Sequence, residues 1–302
     1  MVQNIMVSIL LPTFNRGGRL PVCVNSVLGQ SYRNWELLIC DDDSTDDTDE
    51  IGSRLVRCDS RIRYIKNQAH KGLPRTRNVG ISLSNGSLIQ FIEDDMVLES
   101  DCIEKLIGVF IQFNTEMKFG AVAPSLQDEY QGQGSPSRSI LDYGWRMSNR
   151  KMKEPCTFNP LTGIVHYHFS RNYSGVREVP SVHACSLYSK QALEEIGGYD
   201  EKTYLGNYLY EETDLNLRLR KSGYRLLFQP AAIMHHRLES ASGGCRVDAK
   251  RYAYYFVLNH IKYLGKNFGW HCVWMIPFFL ISVGATGMRA VLAYSFSGKP
   301  TN

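Results

Sequence analysis

The run MVSILLPTFN, residues 6–15, decides the fold class of this chain. Met6–Leu11 is a continuous β-rich apolar run with Ser8 as its one polar residue, which is typical of a strand buried on both faces in a parallel sheet. Similar stretches recur at Trp35–Cys40 and Ser87–Ile92, and segments with helical spacing, such as Leu20–Leu28, lie between them. This alternation predicts an α/β fold with a mostly parallel, doubly wound sheet and flanking helices.

The composition narrows the class of protein. The chain has 302 residues, enough for one large domain or for one domain with an appendage. A net charge of +4 without a dominant basic stripe argues against a nucleic-acid partner. Eight cysteines without a C-x-x-C pair argue against a zinc ribbon or a thioredoxin-type site, and they suit a reducing compartment. The N-terminal residues lack a basic n-region and a cleavage site, so we interpret them as a strand rather than a signal peptide.

Polar and acidic residues follow three of the predicted strands. They occupy Pro12–Asn15, Asp41–Asp46 and Glu93–Asp95. Ligands of parallel α/β sheets bind beyond the carboxyl ends of the strands, so the three clusters are predicted to meet at one site. Carboxylates crowded at one edge repel each other unless a cation or hydrogen-bond donors offset their charge. The pattern therefore indicates a divalent cation, Mg²⁺ or Mn²⁺, bound together with a diphosphate.

Each cluster also has a purely structural explanation. Ser44, Thr45 and Asp46 are residue types that cap helix N-termini, and a helix is predicted after them. Glu93–Asp95, taken alone, is equally compatible with a solvated turn. The shared sheet edge makes the combination more specific than its parts.

The order of the motifs resembles that of a known family. Over about residues 5–240 the chain resembles the family-2 glycosyltransferases of GT-A fold, in the runs SILLPTFNR (8–16), ICDDDSTDDT (39–48), GLPRTRNVGI (72–81), FIEDDM (91–96), IGGYDE (196–201) and YEETDLNLRLRKSGY (210–224). The resemblance implies a GT-A catalytic domain over residues 1–240, with a nucleotide-binding half at about 1–125 and an acceptor half at about 126–240. It also implies a hexosyltransferase-type enzyme (EC 2.4). Such an enzyme moves a sugar from a nucleotide-diphospho-sugar to an acceptor hydroxyl by an inverting single displacement.

The resemblance further implies roles for individual residues. The nucleotide-sugar would contact Pro12, Phe14, Asn15, Asp42, Arg77, Asn78 and Asp94. The metal would be bound by Asp95, with His236 as a second candidate. Glu212 would be the catalytic base, since a positioned carboxylate can accept the proton of the attacking hydroxyl. Secondary or structural roles fall to Glu93, Glu211, Asp214 and His235.

Some of these residues have alternatives. Glu211 and Glu212 could simply favour the N-terminus of their helix through its dipole. Asp214 is one turn further on and is predicted to pair with Arg218 at i+4, which is a structural role. His235 and His236 could be histidines at the end of a buried strand.

The chain departs from the family pattern at three positions, although each retains or adds a carboxylate. Asp43 stands where the family usually has Gly, Glu93 replaces the first Asp of the acidic triplet, and Glu212 is one methylene longer than the usual base. The resemblance favours a UDP-sugar donor over GDP- or dTDP-sugars. The acceptor would be a saccharide or a lipid-linked glycan in polysaccharide assembly. Residues 126–178 show no clear periodicity and are predicted to form loops that select the acceptor.

The C-terminal part, 241–302, is predicted to be helical and membrane-associated. From Asn267 to Met288 it contains no Asp, Glu, Lys or Arg, and Trp270 and Trp274 lie near the start of this stretch. Three arrangements fit: an interfacial or re-entrant hairpin, a single short insertion across the bilayer, or a helical pair buried against the catalytic domain. We favour association with the cytoplasmic face of the membrane.

Two other functions remain open. A nucleotidyltransferase-like enzyme would need a Gly-rich, Lys-containing phosphate loop after the first strand, and Thr13–Gly18 is too short and lacks the lysine. A catalytically inactive module that binds nucleotide-sugars at a membrane would keep the motifs without turnover. A turnover assay distinguishes this module from an enzyme.

Overall fold

The computed structural model describes residues 5–131, 153–170, 172–239 and 249–296. The strands are β1 Val7–Thr13, β2 Trp35–Asp41, β3 Ile62–Lys66, β4 Leu88–Phe91, β5 Met96–Leu98, β6 Phe119–Gln131, β7 Cys156–Phe158, β8 Val165–Tyr167, β9 Arg177–Glu178, β10 Leu187–Ser189 and β11 Arg225–Glu239. The helices are α1 Leu20–Leu28, α2 Thr48–Cys58, α3 Leu73–Leu83, α4 Cys102–Phe113, α5 Lys190–Glu195, α6 Glu211–Lys221, α7 Ala249–Phe268 and α8 Cys272–Phe296, with 3₁₀ turns at Gly17–Arg19 and Gly269–His271.

One large sheet organises the described part of the chain. Its strand order is β3-β2-β1-β4-β10-β6-β11-β5, and β9 pairs with β11. Strands β1 to β4 run parallel, as predicted, and every residue of β1 and β2 is buried. Antiparallel pairs enter with β10, which lies between β4 and β6, and continue with β5 and β9 beside β11. The sheet is therefore mixed, and its parallel part carries the predicted nucleotide-binding half.

The core has a layer on each face of this sheet. Alternate residues of β1 point in opposite directions, so Ile9 packs with α1 and α4 in one cluster and Leu10 packs in the other. The second cluster also contains Ile81 of α3 and Leu215 of α6. The sequence signal of unbroken apolar strands is thus explained by helices that cover both faces.

The structure changes two boundaries in the second half. The sequence predicts two separate closing strands at Arg225–Phe228 and Ala231–Met234, but β11 runs through both of them with an irregularity between Gln229 and Ile233. Pro230 has no N–H to give to the ladder, which explains why pairing is interrupted without ending the strand. Of the predicted irregular stretch 126–178, the described residues extend β6 and form the β7–β8 hairpin and β9, while residues 132–152 and 171 lie outside the described part.

The helices α7 and α8 pack on each other and on residues of the preceding part of the chain. One face of the pair is buried in a cluster formed by Ile164, Tyr204, Tyr263, Leu264, Met275 and Phe279. The opposite face is open, since Trp270 and Val273 are each 73% exposed and Ile281 is 67% exposed. Arg251–Ala285 is long and apolar enough to cross a membrane, and only 11% of its most apolar stretch is buried. Residues 241–248 and 297–302 of the predicted C-terminal segment, and residue 240 before it, lie outside the described part.

Candidate functional site

A cleft of about 310 Å³ lies at the carboxyl ends of β1, β2 and β4, within the size range of ligand sites. Its lining comprises Pro12, Thr13, Phe14, Arg16, Asp42, His70, Gly72, Leu73, Thr76, Glu93, Asp94, Gly206, Asn207 and Tyr208. The three polar clusters predicted from the sequence therefore do meet at one sheet edge. Four of the seven predicted nucleotide-sugar contacts are among the lining residues: Pro12, Phe14, Asp42 and Asp94.

The acidic turn after β4 is neutralised by cations from the first loop and from β11. Arg16 Nη1 lies 2.7 Å from Asp94 Oδ1 and 3.5 Å from Asp95 Oδ2, and Arg19 Nη1 lies 3.5 Å from the same Asp95 oxygen. Burial raises the pKa of Asp94, and Arg16 opposes that rise. Burial also favours a high pKa for Asp95, but His236, Arg16 and Arg19 outweigh it and lower this pKa. Asp95 is thus held as a carboxylate inside the protein.

Asp95 has a free coordination position. Its Oδ1 is buried and has no hydrogen-bond partner in the described part of the chain, although buried carboxylate oxygens are normally satisfied. Among the described residues there is no group of three His, Cys, Asp or Glu side chains that could by itself hold a metal. Mg²⁺ commonly takes one or two carboxylates and completes its shell with phosphates and waters. Asp95 therefore fits a divalent cation that arrives with a diphosphate.

The two histidines of β11 differ in their surroundings. His236 lies beside the turn, with Nε2 3.8 Å from Asp95 Oδ2 and Nδ1 3.3 Å from Asp128 Oδ1. Burial lowers the pKa of His236, but these two carboxylates outweigh it and raise the pKa to about 10. Without a metal, His236 is therefore a cation that pairs with Asp95. His235 points elsewhere and contacts Glu99 through Nε2 at 3.2 Å.

One end of the cleft is shaped by Asp42 and an aromatic pair. Asp42 accepts hydrogen bonds from the backbone N–H groups of Lys71, at 3.0 Å, and Gly72, at 2.8 Å. These bonds fix the turn that leads into α3. The ring of His70 stacks on Phe14 with 4.2 Å between centroids. An aromatic surface and a carboxylate at one end of a cleft suit the flat, hydrogen-bonding face of a nucleobase.

The loop after β2 is held by Asn15. Asn15 has a left-handed backbone, with φ of 50°, and lies outside the cleft lining. Its N–H donates to Ser44 Oγ at 2.8 Å, and its Oδ1 accepts from the N–H of Thr45 at 2.7 Å. Asp46 accepts from the N–H of Thr48 at 3.1 Å, so of the three candidate capping residues it is the one that bonds the start of α2. Asp43 has a φ of 67°, which explains why glycine suits this position.

Arg77 and Asn78 are not among the residues that line the cleft, so the contact with the nucleotide-sugar that the resemblance implies for them stays a prediction. Arg77 is 1% exposed and pairs with Glu211 and, at 3.0 Å, with Glu93. Asn78 accepts from the N–H of Tyr199 at 2.8 Å and donates to its carbonyl oxygen at 2.9 Å. The reason is geometric, since both side chains leave α3 on its inner side. Their contacts connect α3 with the acidic turn, with the start of α6 and with the segment at Tyr199.

Replacing Arg77 by Met is expected to destabilise the protein by about 3–5 kcal/mol, because two acids then lose their buried partner. The free energy of unfolding, measured with urea, gives the change. Arg75→Met is the matched control on the same helix. Arg75 is half-exposed and contacts Glu201 at 3.3 Å, so its replacement should cost at most about 1 kcal/mol. Equal losses in the two variants would contradict the buried cross-link.

Glu211 and Glu212 begin α6 and have different environments. Glu211 is 2% exposed and is bonded to Arg77, and burial raises its pKa to about 8 although Arg77 opposes the rise. Glu212 is only partly buried and has no hydrogen bond or ion pair within the described residues. Asp214 forms the predicted pair with Arg218, with 2.8 Å between Oδ2 and Nε. Glu212 is thus the carboxylate of this helix turn whose oxygens remain available.

Several residues of the site had not been predicted. Arg16 and Arg19 contact the acidic turn, and their position directly after the first strand end was a usable signal, since crowded carboxylates need nearby cations. His70 and Tyr208 carried no such signal. Tyr208 reaches the cleft together with Gly206 and Asn207, from a loop more than 100 positions away from the remaining lining residues.

Comparison with known proteins adds to this geometry. The family model described as glycosyl transferase family 2 matches residues 8–197. The UDP-Glc:alpha-D-GlcNAc-diphosphoundecaprenol beta-1,3-glucosyltransferase WfgD of Escherichia coli is 34% identical over 119 residues, which are 39% of this chain and 46% of that protein. The GalNAc(5)-diNAcBac-PP-undecaprenol beta-1,3-glucosyltransferase of Campylobacter jejuni is 34% identical over 101 residues, 33% of each chain. The matched part thus spans less than half the length of either relative.

A solved structure shares the fold. The crystal structure of S. aureus TarS superposes with a TM-score of 0.55 and covers 86% of this chain and 44% of the TarS chain. The sequence identity is 12%, so the similarity concerns the fold alone. The superposition covers a larger share of the chain than the family match at residues 8–197.

Proposed function

Because the chain belongs to glycosyl transferase family 2 and is a glycosyltransferase, we propose that it moves a sugar from a nucleotide-diphospho-sugar to an acceptor hydroxyl in an inverting, metal-dependent single displacement. The convergence of three polar strand ends on one cleft supports this proposal most directly, together with the buried and unpaired oxygen of Asp95, which follows the lining residue Asp94 and itself lines a smaller adjoining pocket. The named relatives act on undecaprenol-linked glycans. We therefore propose a lipid-linked saccharide acceptor in glycan assembly.

Different residues of the site are proposed to bind the nucleoside, the sugar and the cation. Phe14, His70 and Asp42 would hold the nucleoside, and Asp94 would contact the ribose or the sugar. Asp95, with His236 as a second candidate, would hold a divalent cation. Such a cation acts as a Lewis acid and stabilises the negative charge of the departing diphosphate.

The acceptor hydroxyl loses a proton as it attacks the sugar. Glu212 is proposed to take this proton, because its carboxylate is unpaired among the described residues and partly accessible. Glu211 is less suited to the role, since it is buried against Arg77. The Arg77 bridge from Glu211 to Glu93 sets the start of α6 relative to the acidic turn. The bridge would thereby keep the base at a constant distance from the leaving group.

A donor screen tests the proposed function. Binding and metal-dependent hydrolysis are measured across UDP-, GDP- and dTDP-sugars, with UDP expected to be preferred. Turnover with an undecaprenyl-diphosphate-linked saccharide then separates an enzyme from an inactive binding module. A chain that binds nucleotide-sugars without any turnover would favour the module, and release of diphosphate from a nucleoside triphosphate and a sugar phosphate would favour a nucleotidyltransferase.

We also propose that residues 1–240 form the catalytic domain and that 241–302 attach it to the cytoplasmic face of a membrane. The open face of α8 supports attachment, because Val273 and Ile281 would be costly to leave in water. An interfacial arrangement suits a pair of helices whose other face is buried against the catalytic domain.

The double variant Val273→Ser with Ile281→Ser should bind lipid vesicles at least about tenfold more weakly, because each apolar side chain stabilises binding by about 1.5–3 kcal/mol when fully buried. Flotation with vesicles of phosphatidylethanolamine and phosphatidylglycerol measures this binding. Ile111→Ser, on the exposed side of α4, is the control and should leave flotation unchanged. Unchanged flotation of the double variant would argue against the open face as the attachment surface.

A further inference from the structure

One wall of the cleft is a loop without regular structure. Gly206, Asn207 and Tyr208 line the cleft opposite the turn at Gly72, and they lie between α5 and α6. A Cβ atom built on Gly72 would lie 2.0 Å from the hydroxyl of Tyr208, so the two sides of the cleft touch there. The loop is therefore part of the surface that a bound nucleoside would meet.

The backbone of this wall is strained. Tyr208 has a φ of 54° and Tyr210 has a φ of 76°, and bulky residues rarely adopt this left-handed region. Such conformations persist only where the surroundings enforce them. Burial raises the pKa of Tyr208, and the charges of Asp42 and Glu211 add to the rise. The Tyr208 ring thus lies between the nucleoside end of the cleft and the start of α6.

The contacts that hold the loop in this backbone conformation come from helix α7. Asn259 is fully buried, and its Oδ1 accepts from the N–H of Leu205 at 3.1 Å while its Nδ2 donates to the Leu205 carbonyl oxygen at 2.9 Å. The same Nδ2 lies 3.4 Å from Asn207 Oδ1. Lys262 Nζ donates to the carbonyl oxygen of Thr203 at 3.0 Å. Asn259 therefore holds the loop by hydrogen bonds to Leu205, immediately before the residues that line the cleft.

Aromatic side chains of α7 also pack against this loop. A Cβ atom on Gly206 would lie 2.3 Å from the ring of Tyr255, so glycine is needed for the loop to rest on α7. The ring of Tyr210 packs against His260, with 4.7 Å between centroids, and stacks on Tyr263 at 5.6 Å. Tyr210 directly precedes Glu211, so α7 also fixes the residue at which α6 begins.

We propose that α7 belongs to the donor site, with Asn259 as the positioning residue that holds Leu205–Tyr208 in place as a wall of the nucleotide cleft. This proposal rests on the proposed function, because it takes the cleft to be a nucleotide site. It gives the C-terminal helices a part in donor binding in addition to membrane attachment. A loop that leaves its binding conformation most of the time binds the ligand more weakly in proportion to the lost population.

Two variants of the whole 302-residue chain test whether contacts with α7 hold this wall in place. Asn259→Asp keeps the shape of the side chain but turns a carboxylate oxygen toward the Leu205 carbonyl oxygen. Gly206→Ala keeps Asn259 but pushes the loop away from Tyr255. Each should raise the Kd for the nucleoside diphosphate about tenfold or more, if the loop then holds its binding conformation about a tenth of the time. Asn25→Asp makes the same chemical change at an exposed position of α1 and should leave the Kd unchanged.

The measurement is isothermal titration with UDP, GDP and dTDP in the presence of Mg²⁺, with far-UV circular dichroism and the unfolding midpoint recorded for every variant. The donor KM should rise with the Kd, whereas a role confined to stability would lower the unfolding midpoint and leave the Kd of the folded protein unchanged. Folded variants that bind as tightly as the wild type overturn the proposal, and Gly206→Ala decides alone if Asn259→Asp does not fold. A wild-type protein that binds none of the three nucleotides sinks the proposed function itself, and the wall with it.

Discussion

The Glu212→Gln variant is expected to turn over about 10²–10⁴-fold more slowly than the wild-type protein, while it binds the donor with unchanged affinity. Glutamine keeps nearly the same shape but cannot accept a proton from the attacking hydroxyl. The substitution should not disturb the fold, because Glu212 has no hydrogen bond or ion pair within the described residues. Steady-state kinetics with the preferred donor give the turnover number, and titration with the nucleoside diphosphate gives the affinity.

Two further variants make this result specific. Glu194→Gln removes an exposed carboxylate from α5 and should leave turnover unchanged. Glu211→Gln removes the partner of Arg77, so we expect it to lower the free energy of unfolding, an effect that Glu212→Gln should lack. Wild-type turnover by Glu212→Gln would show that another group accepts the proton.

The Asp95→Asn variant is expected to lose the effect of divalent cations on nucleotide binding. In the wild type, Mg²⁺ or Mn²⁺ should tighten UDP binding, because Asp95 Oδ1 is buried, unpaired and able to coordinate. An amide is a much poorer ligand for a hard cation, so the variant should bind UDP equally with the metal and with a chelator. Turnover should fall by about 10²–10³-fold, the loss typical when one charge-stabilising group leaves an active site.

Titration of UDP with Mg²⁺, with Mn²⁺ and with EDTA measures this effect without relying on activity. Asp101→Asn is the matched control, because Asp101 is a half-exposed carboxylate that contacts Lys105 at the start of α4. Its UDP binding should respond to metal like the wild type. If metal still tightened UDP binding in Asp95→Asn, the cation would have to be held elsewhere.

The part of the site that is formed by residues directly after the parallel strands could be predicted from the sequence. Parallel strands place their carboxyl ends at one edge, so the residues after β1, β2 and β4 had to converge once the strands were recognised. Asp42, Asp94 and Phe14 were found in this way. Glu212 also follows from its place in a motif at the start of a helix, although its role remains a prediction.

The rest depends on contacts that no local pattern encodes. A basic residue in the first turns of a helix usually faces solvent, so the burial of Arg77 between acids 16 and 134 positions away could not be read from its surroundings. Asn259 gave no signal either, because a single asparagine among aromatic residues reveals nothing about the loop that it bonds. Two strands were predicted around Pro230, but the structure has one continuous strand there. The sequence shows that Pro230 cannot donate a backbone hydrogen bond, but it does not show whether the strand continues beyond it.

Arg77 has a consequence for how this enzyme can evolve. One buried cation holds an acid of the turn after β4 and an acid of α6, so a change at position 77 leaves both acids without their partner, while a change at 93 or 211 removes one of the two partners of Arg77. We therefore expect substitutions at position 77 to be tolerated only together with changes at positions 93 and 211. The distance between the acidic turn and the start of α6 would then stay constant while exposed surfaces elsewhere diversify.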